Sequence, residues 1–170
     1  MLRVYLDNVA ASGRVLGDLV PDTEMDAVRR IEAAHANGRV KRVTSRQSWR
    51  EQEKTRDPIK RDTLAAARGE VSVVASDHVV LGFSNIESPS GTTAANPLAT
   101  DIVDQALFRD LKSVGLDDGD AKHLMYAVVN DCQYFVTLDP DFLNRRDALE
   151  ARCKPIRILK PSALASELSL

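Results

Sequence analysis

The sequence predicts an α/β fold in which helices connect the strands of a mostly parallel sheet. Short apolar runs typical of buried strands alternate along the chain with stretches whose apolar residues recur at helical spacing. Residues that favour helix ends separate the two kinds of segment. The chain has 170 residues, 44% of them hydrophobic, and shows no internal repeat, so we expect a single domain spanning 1–170.

The first half of the chain predicts three strands and three helices. Apolar runs place the strands over residues 2–6, 40–44 and 71–75. Residues that favour helix N-termini predict the starts of the helices, and these are Asp22-Thr23, Ser45 and Asp57-Pro58. The helices are expected to end near residues 36, 55 and 69.

In the second half, an irregular stretch precedes two strands and four helices. Residues 84–100 are rich in Ser, Thr, Gly, Asn and Pro, and we expect a loop there. Helices are predicted from 100 or 101 to about 115, and from about 118, 139 and 161. Strands are expected over 133–138 and 155–159.

Positive charge is concentrated in one part of a chain whose formal net charge is −2. Residues 39–61 contain nine Lys and Arg against three acids. Among them Arg46, Arg50 and Lys54 recur at four-residue spacing, which places them on one face of the predicted helix. Such a face could bind RNA, because Lys and Arg supply most of the non-specific affinity for phosphates. A solvated charged face is the alternative.

Cysteine content and hydropathy restrict the class of protein. Cys132 and Cys153 are too few for a disulfide framework and lack zinc-site spacing, so we expect two buried free thiols. No apolar stretch reaches membrane-spanning length, and the chain enters directly into the first strand with no leader-like segment. We therefore expect a cytoplasmic protein with no membrane partner.

Acidic residues stand where the predicted elements begin or end. Asp7 and Asp139 follow the two strongest strands, Glu51 lies in the basic helix, and Asp118 and Asp120 open a later helix. In an open parallel sheet, the carboxyl ends of the strands border the crevice where ligands bind. Carboxylates brought together there repel each other, and a hard cation such as Mg²⁺ or Mn²⁺ relieves that repulsion. The pattern predicts a metal-dependent phosphodiesterase site.

These residues belong to four motifs that occur in order along nearly the whole chain. The motifs are Val4-Tyr5-Leu6-Asp7-Asn8, Glu51 shortly before Asp57-Pro58, Asp118-Gly119-Asp120-Ala121-Lys122-His123-Leu124, and the run from Cys132 to Phe142. Each motif is weakly specific alone. The ordered set resembles the PIN-domain (PilT N-terminus) ribonuclease family, which includes many toxins of bacterial toxin–antitoxin pairs.

The resemblance implies a three-layer α/β/α sandwich with a central, mostly parallel sheet, and an Mg²⁺- or Mn²⁺-dependent endoribonuclease. The residues that match the family's catalytic acids are Asp7, Glu51, Asp120 and Asp139. The resemblance implies that Asp7, Asp120 and Asp139 bind the metal and that Asp118 is a further ligand. The residues at supporting positions are Asn8, Thr137 and Asp141. Glu53 competes with Glu51, which the distance to Asp57-Pro58 favours. A toxin role further implies an antitoxin that covers the cleft, and a homodimer.

The acids also have plain structural interpretations. Asp7 can start a turn with Asn8, Asp118 and Asp139 can cap helices, and Glu51 can simply balance the basic residues around it. His123 is interpreted as a structural residue, since a hard oxygen-rich metal site does not need imidazole. Trp49 either stacks on a base or, by the favoured interpretation, anchors its helix.

Two other functional classes share parts of this pattern. A phosphoaspartate enzyme of the haloacid dehalogenase type also has Asp after its first strand. The pattern of that class has a second Asp two residues later, where this chain has Val9. A catalytically inactive PIN-like module that binds RNA or a protein is the alternative that the acids alone do not exclude.

Overall fold

A five-stranded parallel sheet forms the centre of the computed structural model, which describes residues 1–17, 21–70, 72–74, 79–87 and 93–170. The strands of these ranges are β1 (Leu2–Leu6), β2 (Val40–Thr44), β3 (Ser72–Val73), β4 (Val79–Glu87), β5 (Thr93–Thr100), β6 (Tyr134–Val136) and β7 (Arg157–Leu159). The order in the parallel sheet is β3-β2-β1-β6-β7. Strands β4 and β5 form a separate antiparallel pair.

Helices cover both faces of the sheet, so the predicted α/β fold and its three-layer α/β/α arrangement are confirmed. The helices in the described ranges are α1 (Asn8–Leu16), α2 (Asp22–Ala36), α3 (Arg46–Glu53), α4 (Pro58–Ala66), α5 (Gln105–Ser113), α6 (Asp118–Val129), α7 (Pro140–Asn144), α8 (Arg146–Arg152) and α9 (Pro161–Glu167). A 3₁₀ turn over Ala67–Glu70 follows α4. Within these ranges, no helix has both the length and the hydropathy needed to cross a membrane.

The side chains of β1 point alternately to the two faces of the sheet and so contribute to two halves of the core. Val4 and Leu6 face one side of the sheet, where they join a cluster that includes Ile31 of α2 and Leu164 of α9. Tyr5 faces the other side and stacks on Phe135 of β6, with ring centroids 5.4 Å apart. Successive side chains of a strand point to opposite faces, so a single buried strand supplies both halves of the core.

The centre of the sheet is a topological switch point. From β1 the chain crosses to β2 on one side, whereas β6 and β7 lie on the other. Residue Asp7 follows β1 directly, and its backbone N–H donates to the carbonyl oxygen of Val136 in β6 at 2.9 Å. The carboxyl ends of β1 and β6 therefore border the crevice where ligands bind in folds of this kind.

Most element predictions are confirmed, and their errors are at the ends. Strands β1 and β2 have the predicted bounds, while β6 and β7 are shorter than predicted. Helices α2, α4, α6, α7 and α9 begin within one residue of the predicted starts. The predicted strand over 71–75 is present as β3, and its first and last residues lie outside the described part. Cys132 and Cys153 are buried free thiols, as predicted.

The predicted loop over residues 84–100 is wrong for most of its length. Strands β4 and β5 pair antiparallel there, with Glu87 opposite Thr93 and Val79 opposite Thr100. The turn-forming residues at 88–92 lie between the strands and outside the described residues. Pro97 argues against a strand, because proline has no backbone N–H to donate inside a sheet. A two-stranded pair has only edge strands, however, and an edge strand tolerates such a residue.

Not every helix start agrees with the predictions. Helix α1 was missed, because only a turn was considered after Asp7. Helix α5 begins at Gln105 rather than near 101, because the side chain of Asp104 caps it by accepting from the N–H of Leu107 at 2.9 Å. Helix α3 begins directly after Ser45 as predicted, but the side chain of Ser45 makes no cap hydrogen bond and instead accepts one from Tyr5.

Candidate active site

A cleft of about 840 Å³ opens at the carboxyl edge of the sheet and contains the four acids that the sequence singles out. Its lining includes Asp7, Glu51, Asp120 and Asp139. These residues come from the end of β1, from α3, from the first turn of α6 and from the start of α7. The first and last of them, Asp7 and Asp139, are more than a hundred positions apart in the sequence. The parallel sheet with its crossovers brings the four together.

Asp7 is buried, and other groups hold both of its carboxylate oxygens. Oδ1 accepts from the N–H of Asn8 at 2.7 Å, which caps α1, and Oδ2 accepts from the hydroxyl of Thr137 at 2.8 Å. Burial raises the pKa of Asp7, against the lowering effects of the His123 charge and these hydrogen bonds. The side chain therefore has a fixed orientation in the floor of the cleft.

Thr137 also connects Asp7 to Asp139. While its hydroxyl donates to Asp7, the same oxygen accepts from the backbone N–H of Asp139 at 2.9 Å. Asp139 caps α7, and its Oδ1 accepts from the N–H of Asp141 at 2.8 Å. The interpretation of Asp139 as an N-cap is thus confirmed. The cap hydrogen bond is accepted by Oδ1, so Asp139 can cap α7 and still act in the cleft through Oδ2.

Asp120 carries the strongest electrostatic signal of the four acids. Burial, followed by the negative charges of Asp117, Asp139 and Asp7, raises the pKa of Asp120 to about 7. Asp117, rather than Asp118, caps α6, since it accepts from the N–H of Asp120 at 2.8 Å. A carboxyl group whose pKa is raised by neighbouring carboxylates indicates a concentration of negative charge that a cation would relieve.

Glu51 differs from the three aspartates because a histidine holds it. The Nε2 atom of His123 lies 3.0 Å from both carboxylate oxygens of Glu51, and the amide of Gln47 donates to Oε1 at 2.9 Å. Burial would raise the pKa of Glu51, but the hydrogen bond and charge of His123 bring it below the ordinary value. Glu51 is therefore a carboxylate in a fixed position.

A chain of buried hydrogen bonds continues behind His123. Its Nδ1 lies 2.7 Å from the hydroxyl of Tyr5, and that hydroxyl lies 2.6 Å from Oγ of Ser45. Burial would lower the pKa of His123, but the hydrogen bond to Glu51 and the charges of Asp7, Glu51 and Asp120 raise it. A protonated imidazole donates from both ring nitrogens, so it can bond Glu51 and Tyr5 together.

Helix α6 approaches Glu51 closely because residue 119 is a glycine. A Cβ atom at Gly119 would lie 3.2 Å from Oε1 of Glu51 and 3.3 Å from Oδ1 of Asp117. The absence of a side chain thus allows the first turn of α6 to pack against the carboxylate of α3.

The other proposed acids and supporting residues lie in different surroundings. Asp118 is at the rim of the cleft, where its carboxylate is mostly exposed and pairs with Lys112 at 2.7 Å. Asp141 pairs with Arg145 and does not line the cleft. Asn8 lines the cleft, but its side-chain oxygen accepts from Ser12 and Gln52. Of the supporting residues, Thr137 contacts Asp7 through its side-chain hydroxyl and Asn8 contacts it through its backbone N–H.

The basic stripe of α3 only partly faces the cleft. Arg50 and Lys54 line it, together with Lys122 of α6, whereas Arg46 is exposed outside the lining. Arg50 and Lys122 both pair with Asp101, at 2.7 and 2.9 Å. The cleft thus has cations at its rim and carboxylates in its floor.

Sequence reasoning missed the contacts of His123, Gln47, Lys122 and Asp117. For Asp117 a signal was available, since an Asp before the first helical turn is a typical N-cap. The role of His123 had no local signal, because its partner Glu51 is 72 residues away. Trp49 lies on the opposite face of α3 from the acids and lines a different cavity.

The donor set of the cleft fits a hard divalent cation by its chemistry. Asp7, Asp120 and Asp139 offer carboxylate oxygens, which suit Mg²⁺ and Mn²⁺, and the charges of Asp139 and Asp7 contribute, after burial and Asp117, to the raised pKa of Asp120. Within the described part of the chain, no group of three or more His, Cys, Asp or Glu side chains forms a ready metal site.

Comparison of the chain with protein-family models, with curated proteins and with solved structures finds no match in any of the three. The likeness to the PIN-domain family therefore rests on the order of the motifs along the sequence.

Proposed function

We propose that this protein is a metal-dependent endoribonuclease that hydrolyses RNA phosphodiester bonds with Mg²⁺ or Mn²⁺. The observation that carries the proposal is the convergence of Asp7, Asp120, Asp139 and Glu51 in one cleft at the switch point of a parallel sheet. The resemblance of the motifs to PIN-domain ribonucleases supports the choice of RNA as substrate. The cations at the rim support a polyanionic substrate.

In this proposal the three aspartates hold the metal ion. When bound, a divalent cation stabilises charge on the phosphate and lowers the pKa of a bound water, which supplies the nucleophile. Asn8 and Thr137 fix the orientation of Asp7 through its two oxygens. Asp118 would have to break its ion pair with Lys112 in order to bind the metal, so we assign it a minor role as a ligand.

Glu51 positions water in this scheme and does not primarily hold the metal. Its two oxygens are oriented by His123 and Gln47, yet its side chain lines the cleft. A carboxylate held in this way can accept a hydrogen bond from water in a defined direction. Glu53, the competing candidate, pairs with Arg68 at 2.9 Å, which favours Glu51 for this role.

RNA binding is assigned to the cations at the rim. Arg50, Lys54 and Lys122 lie where the phosphates beside the cleaved bond would enter. Arg46 is outside the cleft and would contact only a longer stretch of backbone. These contacts would be insensitive to sequence, because phosphates are common to all nucleotides.

A catalytically inactive PIN-like module that binds RNA or a protein is the second candidate. One observation favours it: Nε2 of His123 lies within hydrogen-bond distance of both carboxylate oxygens of Glu51. In that case the same cleft would bind its partner with no hydrolysis.

The narrower form of the proposal is a toxin of a toxin–antitoxin pair that acts in the cytoplasm. It rests on the resemblance alone. A cognate antitoxin would cover the acidic cleft, and the toxin would form a homodimer.

The direct test is RNA cleavage by the purified protein. Structured and single-stranded RNA are incubated with Mg²⁺, Mn²⁺ or EDTA, and the products are separated by size. We expect internal cleavage that needs the metal and falls at least a hundredfold in Asp7→Asn, a loss typical of removing a group that acts on the transition state.

The matched control is Asp147→Asn, a change at an exposed aspartate of α8 away from the cleft. It should leave cleavage unchanged. RNA binding without metal-dependent cleavage by the wild-type protein would favour the inactive binding module.

A further inference from the structure

Asp101 connects the two helices that carry the cations of the cleft rim. It directly follows β5, and one oxygen of its carboxylate accepts hydrogen bonds from both helices. This oxygen, Oδ2, lies 2.7 Å from a terminal nitrogen of Arg50 on α3 and 2.9 Å from Nζ of Lys122 on α6. Arg50 and Lys122 line the acidic cleft, whereas Asp101 is not among the described residues that line it. Two cations of the rim thus share one carboxylate oxygen beside the cleft.

The backbone of Asp101 is fixed independently of its side chain. The hydroxyl of Tyr126 donates to the carbonyl oxygen of Asp101 at 2.5 Å, and Tyr126 is a buried residue one turn after Lys122 on α6. The next two residues, Ile102 and Val103, pack against the core. The carboxylate can therefore turn away from the two cations while the backbone of Asp101 stays in place.

Water reaches these ion pairs, so each is weak. The side chain of Arg50 is 49% exposed, and those of Lys122 and Asp101 are each 20% exposed. Burial would raise the pKa of Asp101, but the hydrogen bonds and charges of Lys122 and Arg50 bring it below the ordinary value. Asp101 is therefore a charged carboxylate at neutral pH, and it is held by pairs that contribute little because water screens them.

A phosphate of RNA fits the same two donors. Its oxygens carry negative charge and accept hydrogen bonds from guanidinium and ammonium groups, as a carboxylate does. Because Arg50 and Lys122 already converge on one oxygen atom, they have the spacing needed to converge on one phosphate oxygen. Both cations line the cleft, so a phosphate that enters it meets the donors that Asp101 holds.

We propose that Arg50 and Lys122 form a binding site for one backbone phosphate of RNA, and that the carboxylate of Asp101 competes with this phosphate for both cations. The choice of RNA rests on the proposed nuclease function. The inference adds an internal competitor to that function, because RNA must displace Asp101 before it gains these two contacts. Asp101 therefore lowers the affinity of the free protein for RNA.

The test is RNA binding by the full-length protein in EDTA, measured by the fluorescence polarisation of a short labelled single-stranded RNA. Asp101→Asn removes the competing charge, so we expect it to bind RNA at least about threefold more tightly than the wild type does. Asp101→Ser should change the affinity in the same direction, and thermal unfolding verifies that both variants are folded. Asp147→Asn, which removes the same charge from an exposed position on α8, should bind RNA as the wild type does.

A double-mutant cycle assigns the gain to the two cations. In the double variant Arg50→Gln, Lys122→Gln, the change Asp101→Asn should have no further effect, because nothing remains for Asp101 to compete for. Lys54→Gln is the matched background, since Lys54 lines the same cleft but is not one of the two cations paired with Asp101. There the change Asp101→Asn should keep its full effect.

Three results would overturn the proposal. They are equal or weaker RNA binding by the folded Asp101 variants, a gain in affinity that persists without Arg50 and Lys122, and the absence of RNA binding by every variant. Cleavage by the wild type, together with unchanged RNA affinity in Asp101→Asn, would overturn the competitor and leave the nuclease proposal in place. Tighter binding by Asp101→Asn without metal-dependent cleavage would support the phosphate site and overturn the nuclease.

Discussion

His123 holds Glu51, a residue that lines the acidic cleft, by placing its Nε2 atom 3.0 Å from both carboxylate oxygens. The histidine is almost fully buried, whereas Glu51 is partly exposed to the cleft. The pair thus connects the core of the protein to the surface where RNA is proposed to bind. It makes the orientation of Glu51 depend on a residue that does not itself line the cleft.

The variant His123→Phe tests that dependence. It keeps a ring of similar size but removes both nitrogens, so Glu51 loses its main partner and the buried Tyr5 hydroxyl loses one of its two. We expect the free energy of unfolding to fall by about 1–3 kcal/mol, the cost of unpairing buried polar groups. Cleavage should fall about 10–100-fold, as when a supporting residue of a metal site is lost.

Tyr5→Phe is the matched control for this variant. It breaks the same hydrogen-bond chain one step farther from the cleft and leaves the contact between His123 and Glu51 in place. Thermal unfolding and RNA cleavage are measured side by side. If both variants lose cleavage in proportion to stability alone, the positioning role of His123 is wrong.

Thr137→Val tests the link between Asp7 and Asp139. The change preserves shape but removes a hydroxyl that donates to Asp7 and accepts from the backbone N–H of Asp139. We expect a loss of about 1–3 kcal/mol in the free energy of unfolding, measured by urea denaturation. Cleavage should also fall, because Asp7 loses a donor that fixes its Oδ2.

Thr137→Ser keeps the hydroxyl and should retain most of the cleavage, although it loses a buried methyl group. Equal activity of the Ser and Val variants would show that the hydroxyl does not position Asp7.

The rim cations are tested by the salt dependence of RNA binding. With the inactive Asp7→Asn variant as background, Arg50→Gln and Lys54→Gln should each reduce the slope of log affinity against log salt by up to about 0.7–0.9, the value for one phosphate contact. Arg46→Gln is the matched control on the same helix, and it should change the slope less because Arg46 lies outside the cleft. Similar slopes for all three variants would contradict the assignment.

The pKa of Asp120 predicts how the metal-free protein responds to pH. Between the ordinary carboxyl value near 4 and the folded value of about 7, the folded state holds a proton that the unfolded state has released. The contribution of Asp120 to stability therefore falls as the pH rises through this window. Asp120→Asn removes the ionisation, so its Tm in EDTA should match the wild type near pH 4.5, exceed it increasingly up to about pH 7 and level off above that. A difference that stays the same from pH 4.5 to pH 8 would contradict the raised pKa.

The sequence was sufficient for the sheet and for the position of two acids. Apolar runs of strand length gave β1 and β2 their observed bounds, and the rule for open parallel sheets placed Asp7 and Asp139 at the same edge. These inferences succeed because they depend on short-range patterns and on a general property of the fold.

Contacts between distant segments could not be predicted from local sequence patterns in the same way. The pairing of β4 with β5 was hidden by residues that favour turns, because strand pairing depends on a partner and not only on local preference. The contact of His123 with Glu51 depends on how α6 packs against α3, for which Gly119 supplies the close approach. Side-chain direction also decided that Asp118 turns to Lys112, whereas Asp120 turns to the cleft.

The most direct test of the central claim is a calorimetric titration of the purified protein with Mn²⁺ at pH 7.5. The account predicts saturable binding that weakens at least tenfold in each of Asp7→Asn, Asp120→Asn and Asp139→Asn, and that is unchanged in Asp147→Asn. Equal Mn²⁺ affinity in the wild type and in all three cleft variants would contradict a cation site formed by these carboxylates.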